Sequence, residues 1–195
     1  MIFISFSNNH AVKYLNIMKN NYITIVGNQP ISFDLHESMH IGPVIASANN
    51  NKSINFAYAT CNSETNLQDM LNSTNFQGTN ILVPEELFKK YVFFNETTCL
   101  PDFPGIKTLE IDPNNCTPQC LSLMLAVYLQ PKVIFLLGYD LNNPIEFTRV
   151  KSIIISNPDV RFAYISNPQI KKLDELDNCF SDTYIKYQEV IDARK

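Results

Sequence analysis

The segment Val133-Ile134-Phe135-Leu136-Leu137 is apolar at every position, so a strand formed from it would have no polar face. Such a strand is typical of the interior of a parallel sheet that helices cover on both sides. The segment Gln119–Leu129, just before it, is also apolar nearly all round, and Thr117 and Pro118 predict its N-cap and first helical residue. These two segments restrict the chain to folds with a buried central strand beside a largely buried helix.

Strand and helix patterns alternate along the rest of the chain, which is typical of an open α/β sheet. The alternation predicts a Rossmann-like, doubly wound, mostly parallel sheet with helices on both faces. No linker, repeat or low-complexity segment interrupts residues 1–195, so we expect a single domain. The predicted strands are Ile2–Phe6, Tyr22–Val26, Val44–Ala46, Ile54–Tyr58, Asn80–Val83, Ile106–Ile111, Val133–Leu137 and Val160–Ile165. The predicted helices are His10–Asn20, Ser63–Leu71, Glu85–Tyr91, Gln119–Leu129 and Pro144–Ser156, followed by a mainly helical tail, Gln169–Lys195.

Charge and cysteine content exclude several classes of partner and compartment. The net charge is −4 and no run of Lys and Arg is longer than two, so we expect no nucleic-acid partner. The start of the chain has no basic region, and its apolar run is too short for a signal peptide or a membrane span. The 5 cysteines are odd in number and irregularly spaced, which predicts reduced buried thiols and a cytoplasmic location.

Ligands of such sheets bind at the carboxyl ends of the strands, and polar residues follow several predicted strands here. Gly27 permits a tight turn, asparagine amides suit a ribose, base or phosphate, and Thr117 marks a helix N-terminus that favours an anion. The candidate segments are Gly27-Asn28-Gln29-Pro30-Ile31-Ser32, Asn49, Cys61-Asn62-Ser63, Asn115-Cys116-Thr117 and Gly138-Tyr139-Asp140. Ordinary turn and cap chemistry explains the same residues, so a nucleotide site is one of two interpretations.

Two blocks of this sequence resemble the bacterial lipooligosaccharide sialyltransferases, glycosyltransferase family 42. YITIVGNQPIS (Tyr22–Ser32) resembles the family's opening strand and G-N-G-P-S loop. CTPQCLSLMLAVYLQPKVIFLLGYDLN (Cys116–Asn142) resembles its T-S-G helix and the apolar strand that ends in G-x-D-F. The second block is also similar to related Rossmann-like proteins, the motility accessory factors and pterin diphosphokinases. RFAYISNPQIKKLDEL (Arg161–Leu176) resembles the sialyltransferases' last strand and C-P-N-S turn.

The resemblance implies a pocket for a cytidine nucleotide-sugar. Asn49 and Asn62 fall close to where the family places its nucleotide-sugar-binding asparagines. The residues that the resemblance and the strand ends assign to nucleotide binding are Gly27, Asn28, Gln29, Pro30, Asn49, Asn62, Thr117 and Asp140.

The chain also departs from the family pattern. Gln29 stands where the loop has its second glycine, and Pro118 and Gln119 replace Ser-Gly at the helix start. The family's long lid with tyrosines and a catalytic histidine is missing after Asp140, and no histidine follows His40. Without a base and a lid, we expect nucleotide or nucleotide-sugar binding without sialyltransferase activity.

Three other functions fit parts of the sequence. His36-Glu37-Ser38-Met39-His40 reads H-E-x-x-H, the pattern of a zinc-dependent hydrolase, although Gly42 and Pro43 end any helix there. Asp140 could hold Mg²⁺ for diphosphoryl transfer, as the likeness to pterin diphosphokinases implies. A non-enzymatic binding or scaffold protein that has kept the fold and lost the chemistry is the third alternative. No catalytic residue and no metal ligand is assigned, and the cofactor is left open, with Mg²⁺ as one candidate.

Overall fold

A computed structural model describes residues 21–29, 42–47, 55–91, 97–99, 116–166, 173, 175–183, 187, 189, 192 and 193. Within these residues the strands are β1 (Tyr22–Val26), β2 (Val44–Ser47), β3 (Tyr58–Thr60), β4 (Asn80–Val83), β5 (Thr97–Cys99), β6 (Val133–Leu137), β7 (Arg161–Ser166) and β8 (Cys179–Thr183). The helices are α1 (Glu64–Asn72), α2 (Glu85–Tyr91), α3 (Pro118–Tyr128) and α4 (Pro144–Ile155), with a short 3-10 turn at Thr74–Phe76.

The eight strands form one sheet in the order β5-β4-β3-β2-β1-β6-β7-β8, and every neighbouring pair is parallel. The chain therefore builds the sheet outwards from β1 to β5, crosses back, and continues from β6 to β8 on the other side of β1. The point where the strand order reverses lies between β1 and β6. The predicted α/β, Rossmann-like fold is confirmed, and the sheet is parallel throughout.

Helices cover both faces of the sheet because strand side chains alternate between them. Ile23 and Ile25 of β1 share a core cluster with α3 and α4, whereas Val26 and Phe135 belong to the cluster that contains Leu67 of α1. Helix α3 has buried residues on all sides, from Gln119 to Ala126, as its apolar sequence predicts. None of the described helices is long and apolar enough to cross a membrane.

Several predicted boundaries agree with the structure, and others are wrong. Strands Tyr22–Val26, Asn80–Val83 and Val133–Leu137 have the predicted bounds, as does helix Glu85–Tyr91. The third strand is Tyr58–Thr60, whereas Ile54–Tyr58 is expected from the sequence. These three residues pair with Ile45 to Ser47 of β2, and the Ala57 N–H just before them donates to the Val44 carbonyl oxygen over 2.9 Å. The predicted elements at Ile2–Phe6, His10–Asn20 and Ile106–Ile111 lie outside the described residues.

The tail prediction is also wrong in part. Residues Cys179–Thr183 form β8, an edge strand paired with β7, where a mainly helical tail was expected. Residues Cys179–Thr183 are short and mixed in character and do not by themselves indicate a strand. Their backbone pairing with Phe162 to Ser166 of β7 stabilises the strand instead. Strand β5, at the opposite edge of the sheet, was not predicted at all.

Candidate functional site

The ends of β1 and β6 are bound to each other at the point where the strand order reverses. The Gly27 N–H donates to the Leu137 carbonyl oxygen over 2.7 Å, and the Gln29 N–H donates to the Gly138 carbonyl oxygen over 2.9 Å. Asn28 lies between these two bonds with an exposed side chain. The loop is therefore fixed by its backbone while one amide side chain remains available at the carboxyl edge of the sheet.

Gly27 is required by space rather than by backbone conformation. A β-carbon at this position would lie 2.4 Å from the Gly138 carbonyl oxygen and 2.8 Å from Oε1 of Gln119. Gly138 itself has φ 63°, in the left-handed region that glycine adopts most easily. The two glycines allow the ends of the two strands and the start of α3 to approach each other closely.

Gln119, in the first turn of α3, bonds to the segment that follows β6. Its side-chain Oε1 accepts from the Asp140 N–H over 3.0 Å, and its main-chain oxygen accepts from the Tyr139 hydroxyl over 2.9 Å. The Tyr164 hydroxyl of β7 in turn donates to the Tyr139 carbonyl oxygen over 3.2 Å. Burial raises the pKa of Tyr139 well above its ordinary value, so this phenol stays protonated and acts as a donor.

A second set of bonds holds α3 against the strands on the other side. The Thr60 hydroxyl, at the end of β3, lies 2.9 Å from the Pro118 carbonyl oxygen and 2.7 Å from the Ser122 hydroxyl oxygen. The Ser122 hydroxyl lies 2.8 Å from the same Pro118 carbonyl. The first turn of α3 is therefore fixed to both halves of the sheet.

Thr117 caps α3, as predicted, and also contacts the next helix. Its Oγ1 accepts from the Cys120 N–H over 3.2 Å, while its hydroxyl donates to Oε1 of Glu146. Glu146 belongs to the first turn of α4 and is only 3% exposed. Burial raises the pKa of Glu146 above its ordinary value, although the Thr117 hydroxyl and Arg149 oppose that rise.

Two buried polar atoms near this edge have no hydrogen-bond partner within the described part of the chain. One is Oε2 of Glu146, and the other is Oγ of Ser47, the last residue of β2. Ser47 is fully buried and lies beside Thr60 in the register of β2 and β3. Because burying an unpaired polar atom costs stability, such atoms in a fold are candidates for a role beyond packing.

The predicted site residues that the structure describes follow three of the strands or lie at the start of α3. Gly27, Asn28 and Gln29 follow β1, and Asp140 lies across from them after β6. Asn62, after β3, donates its amide N–H to the Cys116 carbonyl oxygen and so holds the segment that leads into α3. The described candidates thus lie at the carboxyl ends of β1, β3 and β6 and at the start of α3, whereas Pro30 and Asn49 lie outside the described residues.

Several polar groups at these strand ends are already engaged within the protein. Asp140 Oδ1 accepts from the Asn142 N–H over 2.9 Å, which makes a local turn. No group of three or more His, Cys, Asp or Glu side chains that could hold a metal ion occurs among the described residues. The His36-to-His40 motif lies outside them.

Gln119 and Glu146 were not among the predicted site residues. In the sequence, Gln119 stands out only as the residue that replaces a glycine at the helix start. The spacing of Asn143 and Glu146 is that of a capping box, in which the glutamate bonds back to its own N-cap. Asn143 does cap α4, accepting from the N–H groups of Ile145 and Glu146, but the glutamate side chain reaches Thr117 instead. A local spacing rule cannot predict that contact between two helices.

No protein-family model matches this sequence, and a comparison with curated proteins also finds no match. Among solved structures, the fold is similar to the sialyltransferase CstII from Campylobacter jejuni in complex with the substrate analogue CMP-3FNeuAc. The TM-score is 0.50 and the identity 15%, over 73% of this chain and 79% of that chain. A structure of the same enzyme with cytidine-5'-monophosphate matches with a TM-score of 0.46 and 15% identity, over 74% and 79% of the two chains. The expected likeness is confirmed at the level of fold: this chain is a Rossmann-like α/β protein that resembles a bacterial sialyltransferase.

Proposed function

We propose that this chain binds a nucleotide or a nucleotide-sugar at the carboxyl ends of β1, β3 and β6, without transferring sialic acid. The observation that carries the proposal is the close approach of Gly27 and Gly138 at the reversal point of the sheet. Ligands of open α/β sheets bind in the crevice at such a point. Asn28 presents an exposed amide there, which can both donate and accept hydrogen bonds to a base or a ribose.

The fold supports cytidine nucleotides as the first ligands to test. The similar sialyltransferase was solved with CMP-3FNeuAc, a cytidine nucleotide-sugar analogue. The proposal that sialyl transfer is lost rests on the sequence. Its three histidines are His10, His36 and His40, so no histidine follows Asp140. A transfer mechanism that needs a histidine base after Asp140 has no such residue in this chain.

The binding proposal is tested by measuring the melting temperature with cytidine and uridine nucleotides, each with and without Mg²⁺. We expect a cytidine or uridine nucleotide to raise the melting temperature, and Asn28→Ala to abolish that rise. The matched control is Asn80→Ala, since Asn80 is also exposed but is the first residue of β4 and so lies at the amino ends of the strands, away from the candidate site. The control variant should keep the full response. No response to any nucleotide would refute the pocket.

The loss of activity is tested separately. Incubation with CMP-sialic acid and a galactoside acceptor should give no sialylated product, even at a concentration of ligand that saturates the melting-temperature shift. A sialylated product would contradict this part of the proposal while leaving nucleotide binding in place. A rise in melting temperature with Zn²⁺ that is lost in His36→Ala would instead favour the zinc-dependent alternative.

A further inference from the structure

The first turn of α3 has few free donors for an anion. Pro118 has no N–H, and the Cys120 N–H already donates to Thr117 Oγ1. The Leu121 N–H donates to the Thr117 carbonyl oxygen over 3.0 Å, as the helix requires. The Cys120 N–H also bonds to the carboxyl group of Glu146, which opposes the rise that burial causes in the pKa of that glutamate. An anion site at a helix N-terminus normally uses several such groups together.

A carboxyl group of the protein already lies at this position. Oε1 of Glu146 accepts from the hydroxyl of Thr117, the N-cap of α3, and Glu146 itself belongs to the first turn of α4. The carboxyl therefore lies at the N-termini of two helices, where the aligned peptide dipoles favour negative charge. Its second oxygen is buried and has no hydrogen-bond partner among the described residues.

We propose that Glu146 is a specificity-determining residue that occupies the anion position of α3, so that the part of a ligand lying there is uncharged. The inference rests on the proposed function and narrows its ligand class. A nucleoside, or the sugar and base of a larger nucleotide, can lie against α3, whereas a phosphate group adds no favourable contact. A second anion beside a buried carboxylate would be repelled, because like charges interact strongly where water is excluded.

The groups around the carboxyl determine how it responds to pH. The charged or titratable side chains that influence it from its own and neighbouring elements are Arg149 on α4, Asp140 and Tyr139 after β6, and Cys120 on α3. Burial is the largest influence on Glu146 and raises its pKa, with a smaller contribution in the same direction from Asp140. Acid therefore neutralises this carboxyl more readily than an exposed glutamate, and neutralisation should open the position to an anion.

The first experiment uses inorganic sulfate, which does not titrate between pH 5 and 8, at constant ionic strength. Sulfate affinity is measured from the melting temperature of the wild type, Glu146→Gln and Glu86→Gln. Glu86 is the matched control, since it is exposed in the first turn of α2 and its replacement makes the same change in net charge. We expect Glu146→Gln to bind sulfate about tenfold more tightly than the other two proteins. Equal sulfate affinity in all three would overturn the proposal.

A second measurement keeps the test valid if Glu146→Gln does not fold. The wild type is titrated with sulfate at pH 8 and at pH 5, beside Glu86→Gln. Acid should raise the sulfate affinity of both proteins equally, because both retain Glu146, and a folded Glu146→Gln should show a much smaller change. A wild-type affinity that does not change with pH would contradict the inference, with or without the variant.

The ligand class is tested with cytidine and cytidine monophosphate. The wild type should bind the two within about threefold of each other, whereas Glu146→Gln should prefer the monophosphate by about tenfold. A wild type that prefers the monophosphate by more than tenfold, with no change in the variant, would overturn the inference and leave the proposed function intact. If neither ligand binds, the proposed function fails, and the sulfate result still decides the role of Glu146.

Discussion

Oε1 of Gln119 lies 2.8 Å from the point that a β-carbon on Gly27 would occupy. The same oxygen accepts from the Asp140 N–H over 3.0 Å, so it cannot turn away without losing a bond. The end of β1, the end of β6 and the start of α3 thus meet within the space of one missing methyl group. The geometry of the candidate site depends on this contact.

Gly27→Ala should therefore destabilise the protein by steric conflict. The new methyl group would lie 2.4 Å from a backbone oxygen, so the ends of two central strands must separate, at a cost of about 3 kcal/mol. Gly78→Ala is the control, since a β-carbon there meets nothing within 4 Å and is strained only by its φ of +77°. Urea unfolding should show a loss of about 1 kcal/mol in the free energy of unfolding for Gly78→Ala. A smaller loss for Gly27→Ala than for Gly78→Ala would contradict the steric explanation.

Tyr139→Phe should lower stability without changing the shape of the core. The Tyr139 hydroxyl donates to the Gln119 carbonyl oxygen over 2.9 Å, and the tyrosine is 3% exposed, so the variant leaves a buried carbonyl without that donor. We expect a loss of about 1–2 kcal/mol in the free energy of unfolding. Tyr91→Phe serves as the comparison, because its hydroxyl bond to Glu64 is exposed and should contribute less than about 0.5 kcal/mol. Equal losses of stability in the two variants would show that the buried hydroxyl bond of Tyr139 contributes no more than the exposed bond of Tyr91.

The hydroxyls of Thr60 and Ser122 should act as a unit. They lie 2.7 Å apart, and each lies within hydrogen-bond distance of the Pro118 carbonyl oxygen. A double-mutant cycle with Thr60→Val and Ser122→Ala should give a coupling free energy of about 1 kcal/mol. Additive losses would show that the two residues contribute separately. Thr60→Val paired with the distant Ser152→Ala provides a cycle in which no coupling is expected.

Glu146 should make the protein less stable as the pH rises. Its pKa is raised in the folded state, mainly by burial, so the folded protein holds this proton more tightly than the unfolded chain does. Its contribution is therefore complete below the unfolded pKa of about 4.3 and is lost as the pH rises through the folded pKa. Relative to Glu146→Gln, the wild type should lose about 1.4 kcal/mol for each unit by which the pKa is raised.

Glu64 provides the opposite case for the same measurement. Hydrogen bonds from Lys90 and Tyr91 lower the pKa of this exposed glutamate. Its contribution should appear above the unfolded pKa and disappear as the pH falls through the folded value. Urea unfolding between pH 3 and 8 gives the free energy of unfolding of the wild type minus that of each variant. This difference should fall with rising pH for Glu146→Gln and rise with pH for Glu64→Gln. A flat difference between the wild type and Glu146→Gln would show that the carboxyl is not perturbed.

Four of the five cysteines, those whose side chains the structure describes, should be unreactive in the native protein. Cys61, Cys116, Cys120 and Cys179 are reduced and buried. Burial raises the pKa of Cys61 to about 11, so at pH 8 only about one molecule in a thousand carries its thiolate. Dithionitrobenzoate should label these four thiols rapidly only after unfolding in urea. Fast labelling of any of the four in the native state would contradict their placement.

The central elements of the fold are predictable because their sequences satisfy local and global requirements together. The apolar segment Val133–Leu137 is typical of a buried strand, and the cap and proline before α3 indicate where that helix begins. The edges of the sheet are different. Strand β8 contains Phe180, which is 47% exposed, and its sequence does not alternate between apolar and polar residues. Its strand structure therefore comes from pairing with β7 rather than from its own residues.

The candidate site was predictable only in outline. The ends of strands can be located from the sequence, and parallel topology brings them to one edge, which places Gly27 and Asp140 near each other. The contacts that determine the chemistry join elements distant in sequence. The bond from Thr117 to Glu146 and the bond from Asn62 to Cys116 depend on how α3 packs against β3 and α4, which no spacing of residues encodes.

The order of the strands has a consequence for how the chain folds during synthesis. β1 pairs on one side with β2, the next strand in the sequence, and on the other side with β6. The ladder between β1 and β6, in which Tyr22 is opposite Val133, can form only after residue 133 has been synthesised. Until β6 leaves the ribosome, the half-sheet of β1 to β5 has an unpaired apolar strand at its edge. Such edges pair with other chains, and contacts between residues far apart in sequence form slowly. We therefore expect nascent chains that end before residue 133 to aggregate. The pairing of β1 with β6 should prevent this aggregation, because it covers the exposed edge of β1.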